Sequence, residues 1–136
     1  MVAKSNPRVL VADDEHVIAD TLAMIFNGSG FDARAVYSGE TAVELAQNFQ
    51  PDVLITDVVM RRMNGIDAAI RIRLLLPSIR ILMLSGQAET ENLIDKARTE
   101  GYDFDILAKP VHPNDLLKKL RNMLLPNALG RSADQV

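Results

Sequence analysis

The 136-residue sequence predicts an α/β fold in which a parallel sheet is covered by helices on both faces. Three observations predict it. Short apolar runs alternate with amphipathic stretches along the chain. Most of those runs are nearly continuous in Val, Ile and Leu, as strands buried on both faces require. Polar or turn-forming residues follow each run, so every apolar segment is short and closed. The length suits one domain, read as residues 1–125, with a small polar tail over 126–136 that is expected to fray.

The first run, "RVLVA" (Arg8–Ala12), starts the sheet. Ile18, Leu22, Ile25 and Phe26 then recur at helical spacing, and Gly28 or Gly30 is expected to end that helix with positive φ. "FDARAV" (31–36) is more polar and reads as an edge strand. Ala42, Leu45, Ala46 and Phe49 repeat the helical spacing after Ser38, a predicted N-cap, and Pro51 stops the run. "DVLIT" (52–56) is the third strand, and Ile66, Ile70 and Leu74 mark a helix before Pro77. "IRILML" (79–84) is the fourth; Leu93, Ile94 and Ala97 mark the next helix, with Gly101 beyond its end. "DILA" (Asp105–Ala108) completes the strands, and Leu116, Leu117, Leu120 and Leu124 define a last helix with Pro113 in its first turn.

Composition narrows the function classes. A net charge of −3 calls for neither nucleic acid nor an acidic membrane as partner. The absence of cysteine excludes disulfides, thiol catalysis and thiolate metal sites. No stretch approaches the ~20 apolar residues of a membrane helix, and the start lacks the apolar run of a signal peptide, so the expected location is cytoplasmic. Lys118, Lys119 and Arg121 read as the wet face of the last helix, and no aromatic interleaving suggests nucleic acid.

In parallel α/β sheets, ligands sit beyond the carboxyl ends of the strands. Asp13, Asp14 and Glu15 follow the first strand, Asp57 the third, Ser85 and Gly86 the fourth, and Lys109 and Pro110 the fifth. Taken singly, each has a plain reading as cap, turn residue or surface lysine. As a set they collect acids, a hydroxyl and one ammonium on a single edge. Clustered carboxylates favour a cation, and three aspartates offer hard oxygen ligands suited to Mg²⁺. Asp57 can then act as a nucleophile toward a phosphoryl group, with Lys109 neutralising one oxygen and Ser85 hydrogen-bonding another. His16 and His112 are assigned no chemistry.

The pieces "VLVADDE", "PDVLITDVVMRRMNG", "ILMLSG" and "LAKPVHPNDLL" resemble, in this order and spacing, the receiver domain of two-component response regulators. The resemblance implies a flavodoxin-like doubly wound (βα)5 fold with strand order 2-1-3-4-5. It implies Asp57 as phosphoacceptor, a Mg²⁺ pocket of Asp13, Asp14, Asp57 and the backbone carbonyl of Val59, Ser85 as switch hydroxyl, and Lys109 as the phosphoryl-contacting lysine. It implies a cis Lys109–Pro110 peptide, a sensor histidine kinase or histidine phosphotransfer protein as donor, and a protein target downstream. The function implied is a stand-alone phosphorelay receiver that assists its own phosphorylation and dephosphorylation, without being a metabolic enzyme; homodimerisation is left open.

The sequence also departs from that family's pattern. Ile106 stands where an aromatic switch residue is usual, Arg61 where proline is frequent, and Val59 lacks a polar side chain to orient an attacking water. Arg61 and Arg62 read either as docking an acidic donor or as solvated loop residues. Met63 reads as core filler. Competing readings are a degenerate receiver acting as a phosphate-independent adaptor, a phosphatase with an aspartate nucleophile, and a flavin mononucleotide carrier, whose phosphate "ADDEH" would repel.

Overall fold

The computed structural model describes residues 6–86 and 90–125. Ten elements alternate along the chain: β1 (Arg8–Ala12), α1 (His16–Asn27), β2 (Asp32–Val36), α2 (Gly39–Phe49), β3 (Val53–Asp57), α3 (Gly65–Leu75), β4 (Arg80–Ser85), α4 (Thr90–Thr99), β5 (Asp105–Ala108) and α5 (Pro113–Met123). The strands form one parallel sheet in the order β2-β1-β3-β4-β5. The expected tail, 126–136, lies outside the described residues. Among those residues no helix is long and apolar enough to cross a membrane.

The alternation of side chains along a strand divides the core into two layers. Leu10, Leu54, Ile81 and Met83 pack on one face with Ala42, Ala46 and Phe49 of α2, Ala69 and Ile72 of α3, and Ala97 of α4. Val9, Val11, Ile55, Leu82 and Leu84 pack on the other with Ala19, Ala23 and Phe26 of α1 and Leu116 and Leu120 of α5. Each large aliphatic side chain buried this way contributes about 1.5–3 kcal/mol. The three central strands are therefore rigid supports for whatever stands at their ends.

Side-chain caps set several helix starts. Ser38 accepts the Thr41 N–H at 3.0 Å, as predicted. Asn64 caps α3 by accepting from Asp67 N–H at 2.9 Å, and His112 caps α5 through Nδ1, 3.1 Å from Asn114 N. Gly101 adopts positive φ beyond α4, and Gly30, not Gly28, adopts it after α1 (φ +96° against −78°).

Two expectations about burial are corrected. β5 is a half-exposed edge strand rather than one buried on both faces, because it has a neighbour on one side alone. Leu74, expected on the inner face of α3, is 75 % exposed; Ala68, Ala69 and Ile72 pack inward instead. In α1, likewise, small alanines at 19 and 23 lie nearest the sheet while Ile18, Leu22 and Ile25 are half-buried beside them. Close helix–sheet approach selects small residues, which a search for large aliphatics passes over.

Candidate functional site

The register of the central strands builds the site. Ala12 of β1 pairs with Thr56 of β3, so the next residues, Asp13 and Asp57, stand side by side at the carboxyl edge. The winding reverses there: β1 leads outward to β2 and β3 leads the other way to β4. Asp13, Asp14 and Asp57 each present a carboxylate oxygen, and these oxygens lie within 4.8 Å of one another.

Each acid is held differently. Asp13 is 2 % exposed; its Oδ1 accepts the Glu15 N–H at 2.9 Å, while its buried Oδ2 has no hydrogen bond and faces Lys109 Nζ at 3.7 Å. Asp14 is more open, and its Oδ2 receives the Arg61 N–H at 3.2 Å and the Arg61 guanidinium Nε at 3.7 Å. Asp57, the terminal residue of β3, sits 3.2 Å from Lys109 Nζ through Oδ2. Burial pushes the Asp57 carboxyl above its ordinary value, Lys109 pulls it down, and the neighbouring Asp13 and Asp14 charges push it up again.

Lys109 reaches this pair from two strands away. Its backbone N–H is anchored to Ser85 O at 2.9 Å, and the Lys109–Pro110 peptide is cis. The aliphatic stem then crosses Gly86, where a Cβ would meet Lys109 Cδ at 3.2 Å and Lys109 Cβ at 3.3 Å. Gly86 leaves room for the stem, a role that a bare turn reading of Ser85-Gly86 does not contain. Gly86→Ala is expected to displace the ammonium without unfolding the chain. On the phosphoacceptor reading proposed below, the rate of phosphoryl uptake should fall several-fold while the melting temperature stays near wild type, measured by timed intact mass and thermal denaturation.

Gly65 has a harder constraint. A Cβ there would lie 2.0 Å from the Asp57 carbonyl oxygen and 2.9 Å from Thr56 Oγ1. The Gly65 N–H donates to Val58 O at 2.8 Å, so the first residue of α3 rests directly on the end of β3. Gly39 is similarly tight against the same loop, 2.9 Å from Met63 O for a built Cβ, and Arg62 between them takes a left-handed φ of +64°. These close approaches fix the loop that carries Val59 and Arg61.

The remaining predicted residues fall around this centre. Val59 is 43 % exposed and lines a cleft of about 730 Å³ together with Asp14, Asp57, Thr90 and Lys109. Ser85 is half-buried, and its hydroxyl is hydrogen-bonded to the hydroxyl of Thr90. Ile106 lies beside Ser85 in a smaller adjoining cleft. Arg61 and Arg62 are both exposed; Arg61 contacts Asp14, whereas Arg62 pairs with Glu40 at 3.7 Å. A larger cleft, about 780 Å³, opens at the opposite edge around Arg8, Asp52 and Arg80, away from these acids.

Sequence reasoning missed Thr90, the clearance at Gly86 and the Arg61 contact with Asp14. Thr90 starts α4 outside every apolar pattern, and nothing in the linear sequence signals its proximity to Ser85. His16 stacks on Tyr37 with ring centroids 3.8 Å apart, and Tyr37 donates its hydroxyl to Asp20 at 2.6 Å.

The donor set fits a hard divalent cation: it is all carboxylate oxygen, converging, and it includes a buried oxygen lacking a hydrogen bond. Burying carboxylates together costs several kcal/mol per ion unless opposite charge compensates them. The Lys109 ammonium and the exposed Arg61 guanidinium against three carboxylates still leave an excess of negative charge. The site stands at the switch-point edge of a doubly wound α/β domain, where such sheets place their ligands.

Comparison with known proteins agrees. The family model "Response regulator receiver domain" matches residues 9–121. The DNA-binding response regulator MtrA of Mycobacterium leprae is 30 % identical over 120 residues, covering 88 % of this chain and 52 % of that protein. The regulatory protein AtoC of Escherichia coli is 29 % identical, covering 90 % of this chain and 25 % of its own length. Among solved structures, a CheY-like receiver domain protein from Methanospirillum hungatei aligns with a TM-score of 0.79 at 26 % identity, covering 88 % of this chain and 94 % of that one. The chemotaxis protein CheY4 of Vibrio cholerae aligns with a TM-score of 0.78 at 28 % identity, covering 88 % and 100 %. The chain belongs to the response regulator receiver family. It spans about half the length of the MtrA proteins it matches.

Proposed function

We propose that these residues form a receiver that accepts a phosphoryl group on Asp57 in a Mg²⁺-dependent reaction and signals through a changed conformation. The observation that carries this reading is the convergence of three carboxylates within 4.8 Å, with Lys109 Nζ 3.2 Å from Asp57. Asp13, Asp14 and Asp57, with the Val59 carbonyl, would hold the ion, which when bound supplies charge compensation for phosphoryl oxygens. An Asp57 carboxylate oxygen attacks phosphorus, the donor's bond to phosphorus breaks, and its electron pair leaves with the donor. The half-buried position of Asp57 at the end of β3 orients the attacking oxygen, and Lys109 neutralises an oxygen of the transferred group. The donor in this reading is a sensor histidine kinase or histidine phosphotransfer protein in the cytoplasm.

The 136 residues are proposed to suffice for this cycle, and the output to be contact with a protein target. The MtrA relatives are DNA-binding response regulators that extend beyond the matched region. Incubation with acetyl phosphate and Mg²⁺ tests the reading by intact mass. The wild type should gain one phosphoryl group per chain, and Asp57→Ala none. A gain unaltered in Asp57→Ala, or continuous turnover of a generic phosphate ester, would contradict it; turnover would favour the phosphatase.

Val59 bears on the lifetime of the product. Its apolar, exposed side chain at the cleft offers an attacking water no hydrogen bond. Val59→Asn should therefore speed loss of the phosphoryl group several-fold, followed by the decay of the phosphorylated mass; an unchanged decay would contradict this role.

A further inference from the structure

We propose that the Arg61 guanidinium is a removable counter-charge for Asp14: it shields that carboxylate in the metal-free chain and gives way when a divalent cation binds. The inference rests on the cation-pocket reading and adds to it a residue that sets the affinity.

Residue 61 meets Asp14 twice. Its backbone N–H donates to Asp14 Oδ2 at 3.2 Å, and its guanidinium Nε lies 3.7 Å from the same oxygen. The loop between β3 and α3 brings it there, with Gly65 seated on the end of β3 and Arg62 in a left-handed conformation. Two adjacent arginines are parted in this loop. Arg61 faces Asp14, whereas Arg62 pairs with Glu40 of α2 at 3.7 Å. The first therefore touches the carboxylate set, and the second touches an acid outside it.

The two cations beside the carboxylates are held in different ways. The Lys109 side chain is 27 % exposed, its stem lies over Gly86, and its ammonium contacts both Asp13 and Asp57. The Arg61 side chain is 87 % exposed, so it can swing into water with little loss of packing. An exposed ion pair is weak, because water competes for both partners and salt screens them. A dication draws on the same carboxylate charge through a shorter, harder contact. It also repels a guanidinium standing beside that carboxylate. Binding the ion and holding the guanidinium therefore oppose each other, and the opposition is reciprocal. The backbone N–H bears no net charge and remains, so Asp14 keeps its orientation when the guanidinium leaves.

Two measurements on the full chain test this, with Mg²⁺ alone and no phosphoryl donor. Calorimetric titration compares wild type with Arg61→Gln, Arg61→Lys and Arg62→Gln. At low ionic strength Arg61→Gln should bind Mg²⁺ about three-fold more tightly, the size of one exposed ion pair. At high ionic strength, where such a pair is screened, the two affinities should converge. Arg61→Lys, which keeps the charge, and Arg62→Gln, which removes an equal charge next door, should both stay near wild type. Thermal denaturation at low ionic strength is the second measurement. Metal-free Arg61→Gln should melt about 2 °C below wild type, and saturating Mg²⁺ should close that gap, since the guanidinium has by then left Asp14 in the wild type.

An unchanged affinity in Arg61→Gln would overturn the proposal while leaving the cation pocket intact. Equal tightening in Arg62→Gln would overturn it as well, because a general field and not the contact with Asp14 would be at work. Arg61→Lys binding as tightly as Arg61→Gln would assign the effect to shape instead of charge. A melting gap that persists in saturating Mg²⁺ would show that Arg61 does not give way. A wild type that binds no Mg²⁺ would remove the pocket and this role together.

Discussion

Gly65→Ala is expected to lose about 3 kcal/mol of stability, the upper end of overpacking costs, and with it phosphoryl uptake. The physical cause is a collision with backbone, not with a flexible side chain. A Cβ at 65 would fall 2.0 Å from the Asp57 carbonyl oxygen, and neither atom has freedom to yield: Asp57 ends a buried strand and Gly65 begins a helix. Relief requires α3 to move off the end of β3, breaking the Gly65 N–H bond to Val58 O and shifting the residue that carries the acceptor carboxylate. A loss of this size lowers the melting temperature by about 10 °C for a domain of this length. Thermal denaturation and phosphorylation are to be measured on the same preparation. A variant that melts within a degree or two of wild type would show that β3 and α3 are not locked together as described.

Asp57→Asn is expected to do the opposite to stability while abolishing phosphorylation. The folded protein holds the Asp57 carboxyl above its ordinary value of 3.8, through burial first and then the Asp13 and Asp14 charges, against the pull of Lys109. An acid with a raised folded value binds its proton more tightly when folded, so its contribution to stability is fully present below 3.8 and is lost as pH rises through the raised value. At neutral pH the ionised group therefore opposes folding, and the neutral amide removes that opposition. Denaturation curves should show Asp57→Asn more stable than wild type near pH 7, with the difference shrinking as pH falls toward 4. A variant less stable than wild type at neutral pH would mean that the Lys109 ion pair outweighs burial. The site would then be electrostatically satisfied rather than held in excess negative charge.

Much of the fold was legible because central strands carry a signal that survives in one dimension. "RVLVA", "DVLIT" and "IRILML" need apolar residues on both faces, and the structure puts them at β1, β3 and β4 with boundaries moved by at most a residue. β5 was misread as fully buried because "DILA" is too short for its edge position to show in composition. The acid–lysine set was legible for a related reason: parallel strands carry sequence order into spatial order, so residues that follow strands share an edge. What the sequence did not disclose depends on distance between elements. Thr90 meets Ser85, Gly86 clears a path for Lys109, and Arg61 covers Asp14 through contacts that leave no periodic trace. Leu74 shows the converse, an apolar residue at helical spacing whose helix turns it to solvent.

The central claim is that the carboxylates at 13, 14 and 57 form one cation pocket with Lys109 as its built-in counter-charge. Calorimetric titration with Mg²⁺ in the absence of any phosphoryl donor tests it directly. Saturable binding of a single ion per chain is predicted, lost in Asp13→Asn and tightened in Lys109→Ala. The absence of saturable binding, or binding indifferent to Asp13→Asn, would contradict the account.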